Sequence, residues 1–460
     1  MKKSITLLLA LILLSTTAYS QLDEIAVKEV GSQPAFVLST DDGMLFHVIC
    51  LGIDIDFDGV YDEEDGDEYP SYWVLGVKIT AGQNDGLGIG DPEKVTDLPF
   101  GSGGFPFRPM VKKDGDDTYL LFRGTVGVDM LKLVKGEGSQ YELTENYLPY
   151  SISGISGDAI HYFLSVREGM DSYLKVHRIG KDEEVLSVDV GPMVQMSEPY
   201  MGGGTNIAVL NEGDFGEENS TIQLINFDHQ GSQHNSEFIP IGGAGNFFMI
   251  DQGGQLFAVA NGTHEIVQID LVSQEIVKKV STGTDGYNGP REIEFIQYDP
   301  SGMPPNYHIA VTTYDGKVLI IDPISEEVVQ TIEADGKFEG IHWSAERILA
   351  FCNISNADYS PSNKVYFYGV ISSVEDEIAS KINIWPNPVR DEFSIDFSGL
   401  DRMPENIQVV DVLGRIIARL NYTISISTYS ASEIGLQSGY YFIVFEVGNA
   451  KVSLPLSVTE

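Results

Sequence analysis

Residues 255–280 read QLFAVANGTHEIVQIDLVSQEIVKKV, and residues 307–332 read YHIAVTTYDGKVLIIDPISEEVVQTI. Each stretch begins with a short apolar segment, continues with a second one that ends in Ile-Asp, and closes with alternating apolar and polar residues. Short runs of this kind, bounded by Gly, Asn, Asp and Pro, are typical of β-strands. The two stretches therefore predict one unit of successive short strands that repeats along the chain.

A segment related to the second of these strands recurs through the middle of the chain. The apolar residues at its third position are Val74, Leu131, Leu174, Ile222, Ile266, Val318 and Val365. Their separations are 57, 43, 48, 44, 52 and 47 residues. Four short strands in a unit of about 40–50 residues are typical of a β-propeller blade. We therefore expect an all-β chain with a seven-bladed β-propeller over residues 22–372.

The last repeat is one strand short of a full blade. It offers strands near Glu339–His342, Arg347–Phe351 and Lys364–Gly369 before an acidic stretch begins. The segment Glu24–Val30 precedes the first unit and has no unit of its own. We expect it to supply the outer strand of the last blade, which would leave no sheet edge unpaired at the seam.

The turns of the two best repeats carry a family resemblance. Residues 268–274 read QIDLVSQ and residues 320–326 read IIDPISE, each placing Ile-Asp before a turn and an outer strand. These units resemble the YVTN-type seven-bladed propellers. The resemblance implies the fold, whereas propellers as a class include enzymes, ligand binders and scaffolds.

The C-terminal region contains three spaced motifs. They are Pro386-Asn387-Pro388, the Asp411 to Gly414-Arg415 turn, and Gly439-Tyr440-Tyr441-Phe442. From about residue 376 to residue 460 the chain resembles the type A C-terminal sorting domain of the type IX (Por) secretion system of Bacteroidota. The resemblance implies an immunoglobulin-like β-sandwich at 382–460 after a linker at 373–381. It also implies export by that machinery, processing by its sortase, and a secreted or outer-surface location.

The N-terminus and the charge fit an exported protein. Lys2-Lys3, an apolar run from Leu7 to Leu14 and the small residues before position 20 indicate a signal peptide over residues 1–20. No other apolar run is long enough to span a membrane. The net charge of −40 makes nucleic acid an improbable partner, because phosphates repel an acidic surface.

An acidic loop in the first unit has the spacing of a calcium site. Carboxylates at loop positions 1, 3, 5, 9 and 12, and a backbone carbonyl at position 7, are supplied by Asp54, Asp56, Asp58, Asp62, Asp65 and Val60. Ca²⁺ prefers six to eight oxygen ligands, and Gly59 permits the sharp turn that wraps them around it. We expect a structural Ca²⁺ ion here. A solvated acidic loop is the alternative.

Two further long loops follow the second strand of their units. They are residues 211–219 and 353–363, and they would share one rim of a propeller with the acidic loop. The string at 211–216 resembles that of surface propellers of Bacteroidota, some of which capture small nutrients. The residues expected to line a ligand mouth are Asn211, Glu212, Phe215, Asn353 and Tyr359. A turn that only caps a hairpin is the alternative.

The sequence thus predicts a secreted, calcium-stabilised propeller that binds a ligand or partner. A metal-dependent hydrolase or lactonase is a second hypothesis, with carboxylates and His342 near the axis as its materials. An adhesive or structural surface protein is a third. The chain contains neither a metalloprotease pattern nor a Gly-x-Ser-x-Gly elbow.

The two cysteines, Cys50 and Cys352, fall near the ends of second strands in the first and last units. Those units would be neighbours across the seam. Export into an oxidising compartment favours a disulfide, whereas the spacing of strands in adjacent blades favours two buried thiols. Both outcomes remain open at this point.

Overall fold

The computed structural model is built almost entirely from strands and turns. It describes residues 22–39, 43–55, 61, 64, 66–80, 86–98, 108–114, 117–123, 128–133, 141–150, 152–158, 160–179, 183–200, 206–214, 217, 219–227, 233–243, 249–252, 254–297, 307–370, 381–400, 402–411, 415–422, 425–447 and 450–459. The expected signal peptide at 1–20 and nearly all of the expected linker at 373–381 lie outside these ranges. None of the described residues belongs to a helix, so this part of the chain contains no helix that could cross a membrane.

The strands form two compact units, the first between residues 22 and 370. Its early strands are β1 (Leu22–Glu29), β2 (Pro34–Ser39), β3 (Leu45–Cys50), β4 (Ser71–Thr80), β5 (Gly86–Ile89), β6 (Glu93–Asp97), β7 (Met110–Asp114), β8 (Asp117–Arg123), β9 (Val128–Leu133) and β10 (Tyr141–Leu148). Next come β11 (Ile152–Gly157), β12 (His161–Glu168), β13 (Asp171–Arg178), β14 (Glu184–Asp189), β15 (Val194–Pro199), β16 (Asn206–Asn211), β17 (Thr221–Phe227), β18 (Gln233–Pro240) and β19 (Met249–Gln252). The unit ends with β20 (Gln255–Ala260), β21 (Glu265–Asp270), β22 (Glu275–Ser281), β23 (Pro290–Ile296), β24 (His308–Thr313), β25 (Lys317–Ile321), β26 (Val328–Glu333), β27 (Lys337–Trp343), β28 (Ile348–Ser355) and β29 (Pro361–Val370).

Among the described residues these strands form seven antiparallel sheets. In chain order the sheets are β2-β3-β4-β5 with β6 also on β4, then β7–β10, β11–β14, β15–β18, β19–β22, β23–β26, and β27-β28-β29-β1. Each of the seven recurring sequence segments is the third strand of its sheet, because the apolar second strand and the alternating outer strand flank it. The sequence period therefore corresponds to one sheet per repeat.

The last sheet is completed from the N-terminus. β1 pairs antiparallel with β29, with Val27 opposite Tyr366 and Glu29 opposite Lys364. Val30 N also donates to Asn363 O at 2.8 Å. The prediction that the segment at 24–30 supplies the missing fourth strand is confirmed.

Successive sheets pack face to face through separate apolar clusters. In β20, Leu256 and Ala258 pack toward the β15–β18 sheet, whereas Phe257 and Val259 pack toward the β23–β26 sheet. Both faces are buried because successive side chains of a strand point to opposite sides, which explains why the second strands read as continuous apolar runs. The same arrangement joins every successive pair of sheets, and the last sheet packs on the first through Phe367 and Phe46.

The second unit contains the C-terminal strands. They are β30 (Asn383–Trp385), β31 (Glu392–Asp396), β32 (Glu405–Asp411), β33 (Ile416–Arg419), β34 (Ile426–Ser430), β35 (Gly439–Val447) and β36 (Ala450–Val458). They form a sheet in the order β30-β31-β34 and another in the order β33-β32-β35-β36. Side chains of both sheets, including Phe393 and Phe445, meet in one buried cluster. The unit therefore has its own hydrophobic core.

The spaced C-terminal motifs stabilise turns of this unit. Asp411 accepts hydrogen bonds from the Arg415 backbone N at 2.9 Å and from its Nε at 2.6 Å, which closes the turn after β32. Asn387 Oδ1 accepts from Ser457 N at 2.9 Å, which attaches the Pro-Asn-Pro segment to β36. Asp411 and Asn387 thus fix the local backbone through their side-chain hydrogen bonds.

Candidate functional site

The acidic loop between β3 and β4 is closed at its base by the backbone. Ile53 N donates to Glu68 O at 2.8 Å, and Glu68 N donates to Ile53 O at 2.9 Å. Just inside this bridge, Asp67 Oδ1 accepts from Ile55 N at 2.8 Å. Of the predicted calcium ligands, Asp54 is described, whereas Asp56, Asp58, Val60, Asp62 and Asp65 lie outside the described residues.

Two carboxylates of this loop act electrostatically on Tyr61. Burial raises the pKa of the Tyr61 hydroxyl, and the negative charges of Asp54 and Asp67 raise it further. That hydroxyl donates to Leu51 O at 3.2 Å. The described residues contain no group of three acidic, His or Cys side chains close enough to hold a metal. The ligands predicted from the sequence are nevertheless all oxygen atoms, which fits Ca²⁺ rather than a softer metal.

Two of the predicted rim residues, Asn211 and Asn353, occupy equivalent and fully buried positions. Asn353 Nδ2 donates to Asp335 O at 3.1 Å, and its Oδ1 accepts from Lys337 N at 3.1 Å. A Cβ at Gly336 would lie 2.2 Å from Asn353 Oδ1. Likewise, a Cβ at Gly191 would lie 2.8 Å from the Asn211 amide. Each amide therefore fills the space beside a glycine that precedes the first strand of its sheet.

Glu212 and the turn after it form a compact hairpin end. Glu212 N donates to Met193 O at 3.0 Å, and the Glu212 carboxylate accepts from Gln195 Nε2. Asp214 and Asn219 bond to each other, with Asn219 Nδ2 donating to Asp214 Oδ2 at 3.0 Å. Phe215 lies outside the described residues. The partly exposed Glu212 thus remains available at the rim of the β15–β18 sheet.

Tyr359 lies over a layer of cations and aromatic rings. The residue is 69% exposed, and Lys337 Nζ lies 4.2 Å from its ring centroid. Lys337 also donates to Tyr314 O at 3.2 Å. Arg291 lies 4.5 Å from the Tyr314 ring and forms a bidentate pair with Glu339 at 2.6 and 2.7 Å. This layer holds an exposed aromatic surface next to positive charge, an arrangement suited to ligand contact.

A second charged group lies on the first strands of the β23–β26 and β27–β29 sheets. Glu292 and Glu294 alternate along β23, and Arg108, just before β7, reaches both carboxylates at 3.7 Å. Burial raises the pKa of Glu292 to about 7, against the opposing charge of Arg108. Burial would also raise the pKa of Glu294, but the hydrogen bond from His342 and its charge outweigh burial and lower it. His342, named above with carboxylates as material for a catalytic alternative, thus contacts Glu294, with its Nδ1 3.2 Å from Oε2.

The structure does not bring all predicted rim residues into one contact. Asn211 and Glu212 belong to the β15–β18 sheet, whereas Asn353 and Tyr359 belong to the β27–β29 sheet with β1, and other sheets lie between them in chain order. The layer of Lys337, Tyr314 and Arg291 was not predicted from sequence. The sequence signal that could have revealed this layer is the set of charged residues Arg291, Glu292 and Glu294 in a strand that is otherwise largely apolar.

Comparisons with known proteins agree with the two units. Residues 383–458 match the family described as the secretion system C-terminal sorting domain, of the Por type. The crystal structure of the WD40 β-propeller domain of Doa1 is similar at a TM-score of 0.52 and 12% identity, covering 76% of this chain and 97% of that chain. No curated protein matches the sequence. The chain therefore has a propeller-like fold in its larger part, and its C-terminal match implies export through the type IX secretion machinery to the surface or the medium.

Proposed function

We propose that this protein is an exported, calcium-stabilised, seven-bladed propeller that binds a ligand or partner at the cell surface. Export is supported by the match of residues 383–458 to the C-terminal sorting domain family. The alternative functions, catalysis with a metal at the rim and adhesion, have no comparable support in the described residues.

The cyclic packing supports seven blades. Seven sheets pack in sequence, and the last packs on the first through an apolar cluster that contains Phe46 and Phe367. β1 then closes the ring by pairing with β29. The two-sheet C-terminal unit, with its single core, is consistent with an immunoglobulin-like sandwich that the sortase recognises.

The ligand-contacting surface is proposed at the rim that bears Tyr359 and Glu212. The amides of Asn211 and Asn353 are buried, so we do not expect them to touch the ligand. They would affect binding indirectly, by fixing the positions of neighbouring residues. Tyr359 offers an exposed ring beside Lys337. An aromatic face next to a cation fits a planar or anionic group better than a bare aliphatic one.

Export is tested by comparing the full chain with a chain that ends at Ser373, both expressed in a bacterium with a type IX secretion system. We expect the full chain at the surface or in the medium and the truncated chain in the periplasm. Circular dichroism of both purified proteins checks that truncation leaves the larger unit folded. A truncated chain that still reaches the surface would exclude residues 383–458 as the export signal.

A further inference from the structure

A serine, a histidine and a glutamate form a continuous hydrogen-bonded line across three sheets. Ser39 Oγ lies 2.9 Å from His342 Nε2, and His342 Nδ1 lies 3.2 Å from Glu294 Oε2. Ser39 ends β2, His342 lies near the end of β27, and Glu294 is in the middle of β23. Three separate first strands therefore bring together His342 and two residues that lie 303 and 48 positions from it in sequence.

The protonation pattern of this line follows from its geometry. Glu294 is ionised at neutral pH, because the hydrogen bond from His342 and the positive charges of His342 and Arg108 lower its pKa despite burial. An ionised carboxylate can only accept, so Nδ1 of His342 carries the proton. In the neutral form of the ring, Nε2 is then the nitrogen that accepts from the Ser39 hydroxyl, 2.9 Å away. This is the tautomer that a general base requires.

All three residues are partly shielded from solvent, and exposure falls from His342 to Glu294. The Ser39 residue is half-buried, the His342 side chain is 21% exposed, and the Glu294 side chain is 13% exposed. A nucleophile must meet substrate, whereas its orienting acid works best away from water. A surface serine that only caps a strand would not have an oriented histidine behind it.

A second histidine, His47, lies on β3, the strand paired with β2. Burial lowers the pKa of His47 to about 4, and the charge of His342 lowers it further, so the His47 ring is neutral. Its Nδ1 and the Tyr72 hydroxyl share a hydrogen bond of 2.5 Å. Within the described residues, His47 Nε2 has no hydrogen-bond partner although it is buried. Leu38 pairs with His47 and Ser39 with Phe46, so the side chains of His47 and Ser39 point to opposite faces of the sheet, and His47 takes no part in the proposed step.

We propose that Ser39 is a nucleophile, His342 its general base and Glu294 the positioning residue of a second, hydrolytic site that accepts small acyl esters. Ser39 Oγ attacks the acyl carbon while His342 Nε2 takes the hydroxyl proton. The C–O bond of the ester breaks, and the proton passes to the leaving alcohol. Water, deprotonated by His342, then attacks the acyl carbon, the bond to Ser39 Oγ breaks, His342 returns the proton to Oγ, and the carboxylic acid is released. The proposal does not depend on the proposed export or on the rim ligand.

The site lies away from the predicted rim. β2 runs from the base of the acidic loop toward Ser39, since Pro34 pairs with Cys50 and Ser39 with Phe46 at the far end of β3. The acidic loop begins directly after Cys50, so Ser39 lies at the opposite end of the same sheet. Loss of calcium or of a rim ligand should therefore leave this chemistry in place as long as the fold persists.

A fluorophosphonate probe tests the proposal on the full chain. A reactive serine forms an O–P bond with this probe and displaces fluoride, which leaves with the serine proton. We expect stoichiometric labelling that peptide mass spectrometry assigns to Ser39, with hydrolysis of p-nitrophenyl acetate lost on labelling. Ser39→Ala should abolish both. The matched control is Ser153→Ala, because Ser153 is a half-buried serine on a first strand whose hydroxyl donates to Val194 O at 2.6 Å and has no histidine partner.

The pH profile of the labelling rate distinguishes a positioning role of Glu294 in catalysis from a purely structural role. Glu294→Gln should reduce the labelling rate by at least a hundredfold and move the pH midpoint of labelling to lower pH, because the imidazolium loses its counter-charge. Glu294→Asp should restore part of the rate, and circular dichroism identifies variants that fail to fold. A folded wild-type protein that is not labelled, or labelling that persists in Ser39→Ala, would overturn the proposal.

Discussion

Gln330 holds the backbone of Leu22 with two hydrogen bonds, although 308 residues separate them in sequence. Leu22 N donates to Gln330 Oε1 at 3.0 Å, and Gln330 Nε2 donates to Leu22 O at 2.7 Å. Leu22 begins β1, which belongs to the last sheet, whereas Gln330 lies on β26 of the preceding sheet. The first described residue of the chain is thus attached to a second sheet as well as to its own.

Replacing this glutamine should weaken the seam. We expect Gln330→Ala to lower the free energy of unfolding by about 2 kcal/mol, because two hydrogen bonds of about 1 kcal/mol each are lost. The neighbouring exposed Thr331 serves as the control, and Thr331→Ala should change the value by less than about 0.5 kcal/mol. Urea unfolding at fixed pH measures both variants. Equal effects of the two substitutions would show that the two hydrogen bonds between Gln330 and Leu22 make no specific contribution to stability.

Cys50 and Cys352 should behave as two inert thiols in the native protein. Both are free, fully buried and part of one apolar cluster at the seam. Burial raises the pKa of each thiol, which suppresses the reactive thiolate. A thiol reagent should therefore detect none before denaturation and two afterwards, without any reductant. Fewer than two thiols in the denatured, unreduced protein would reveal a disulfide across the seam.

The sequence predicted what depends on periodicity and counting. The recurrence from Val74 to Val365 predicted one sheet per repeat, and the missing fourth strand of the last repeat predicted the pairing of β1 with β29. Both follow from the need to bury apolar faces and to pair every strand edge. These requirements produce periodic patterns in the amino-acid sequence.

The same reasoning could not predict side-chain direction at strand ends. Asn353 reads as a rim residue, yet its amide turns inward because Gly336 leaves space beside it. Ser39 and His342 were not paired from sequence, since their approach depends on how the last sheet packs on the first. Contacts of this kind arise only once the last sheet packs on the first.

Calcium should stabilise the fold through the acidic loop. At a hundredfold excess over its dissociation constant, a bound ion adds roughly 3 kcal/mol to the free energy of unfolding. We expect a chelator to lower the melting temperature of the wild type but not that of a protein carrying Asp54→Ala and Asp58→Ala. Glu217→Ala, in another exposed acidic turn, should respond to the chelator as the wild type does. A melting temperature that calcium and chelator leave unchanged in the wild type would count against the site.

Glu292 should make the stability of the protein depend on pH. Its pKa is raised from 4.5 to about 7 in the folded state, chiefly by burial, which the charge of Arg108 offsets only in part. Below pH 4.5 the carboxyl is protonated in both states and has no effect on the difference between them. Between these two values the folded state keeps a proton that the unfolded state releases. Stability from this group therefore falls as the pH rises, and the loss is complete above the folded pKa.

Glu292→Gln removes this titration and keeps an acceptor oxygen for Ile341 N, which now donates to Glu292 Oε2 at 3.1 Å. We expect the variant to gain roughly 3 kcal/mol relative to the wild type between pH 4 and pH 8, since each pKa unit corresponds to about 1.4 kcal/mol. Urea unfolding of both proteins across this range measures the difference, with Glu275→Gln as an exposed control. If the difference between variant and wild type stays constant with pH, folding leaves the pKa of Glu292 unchanged, and the charge of Arg108 balances burial.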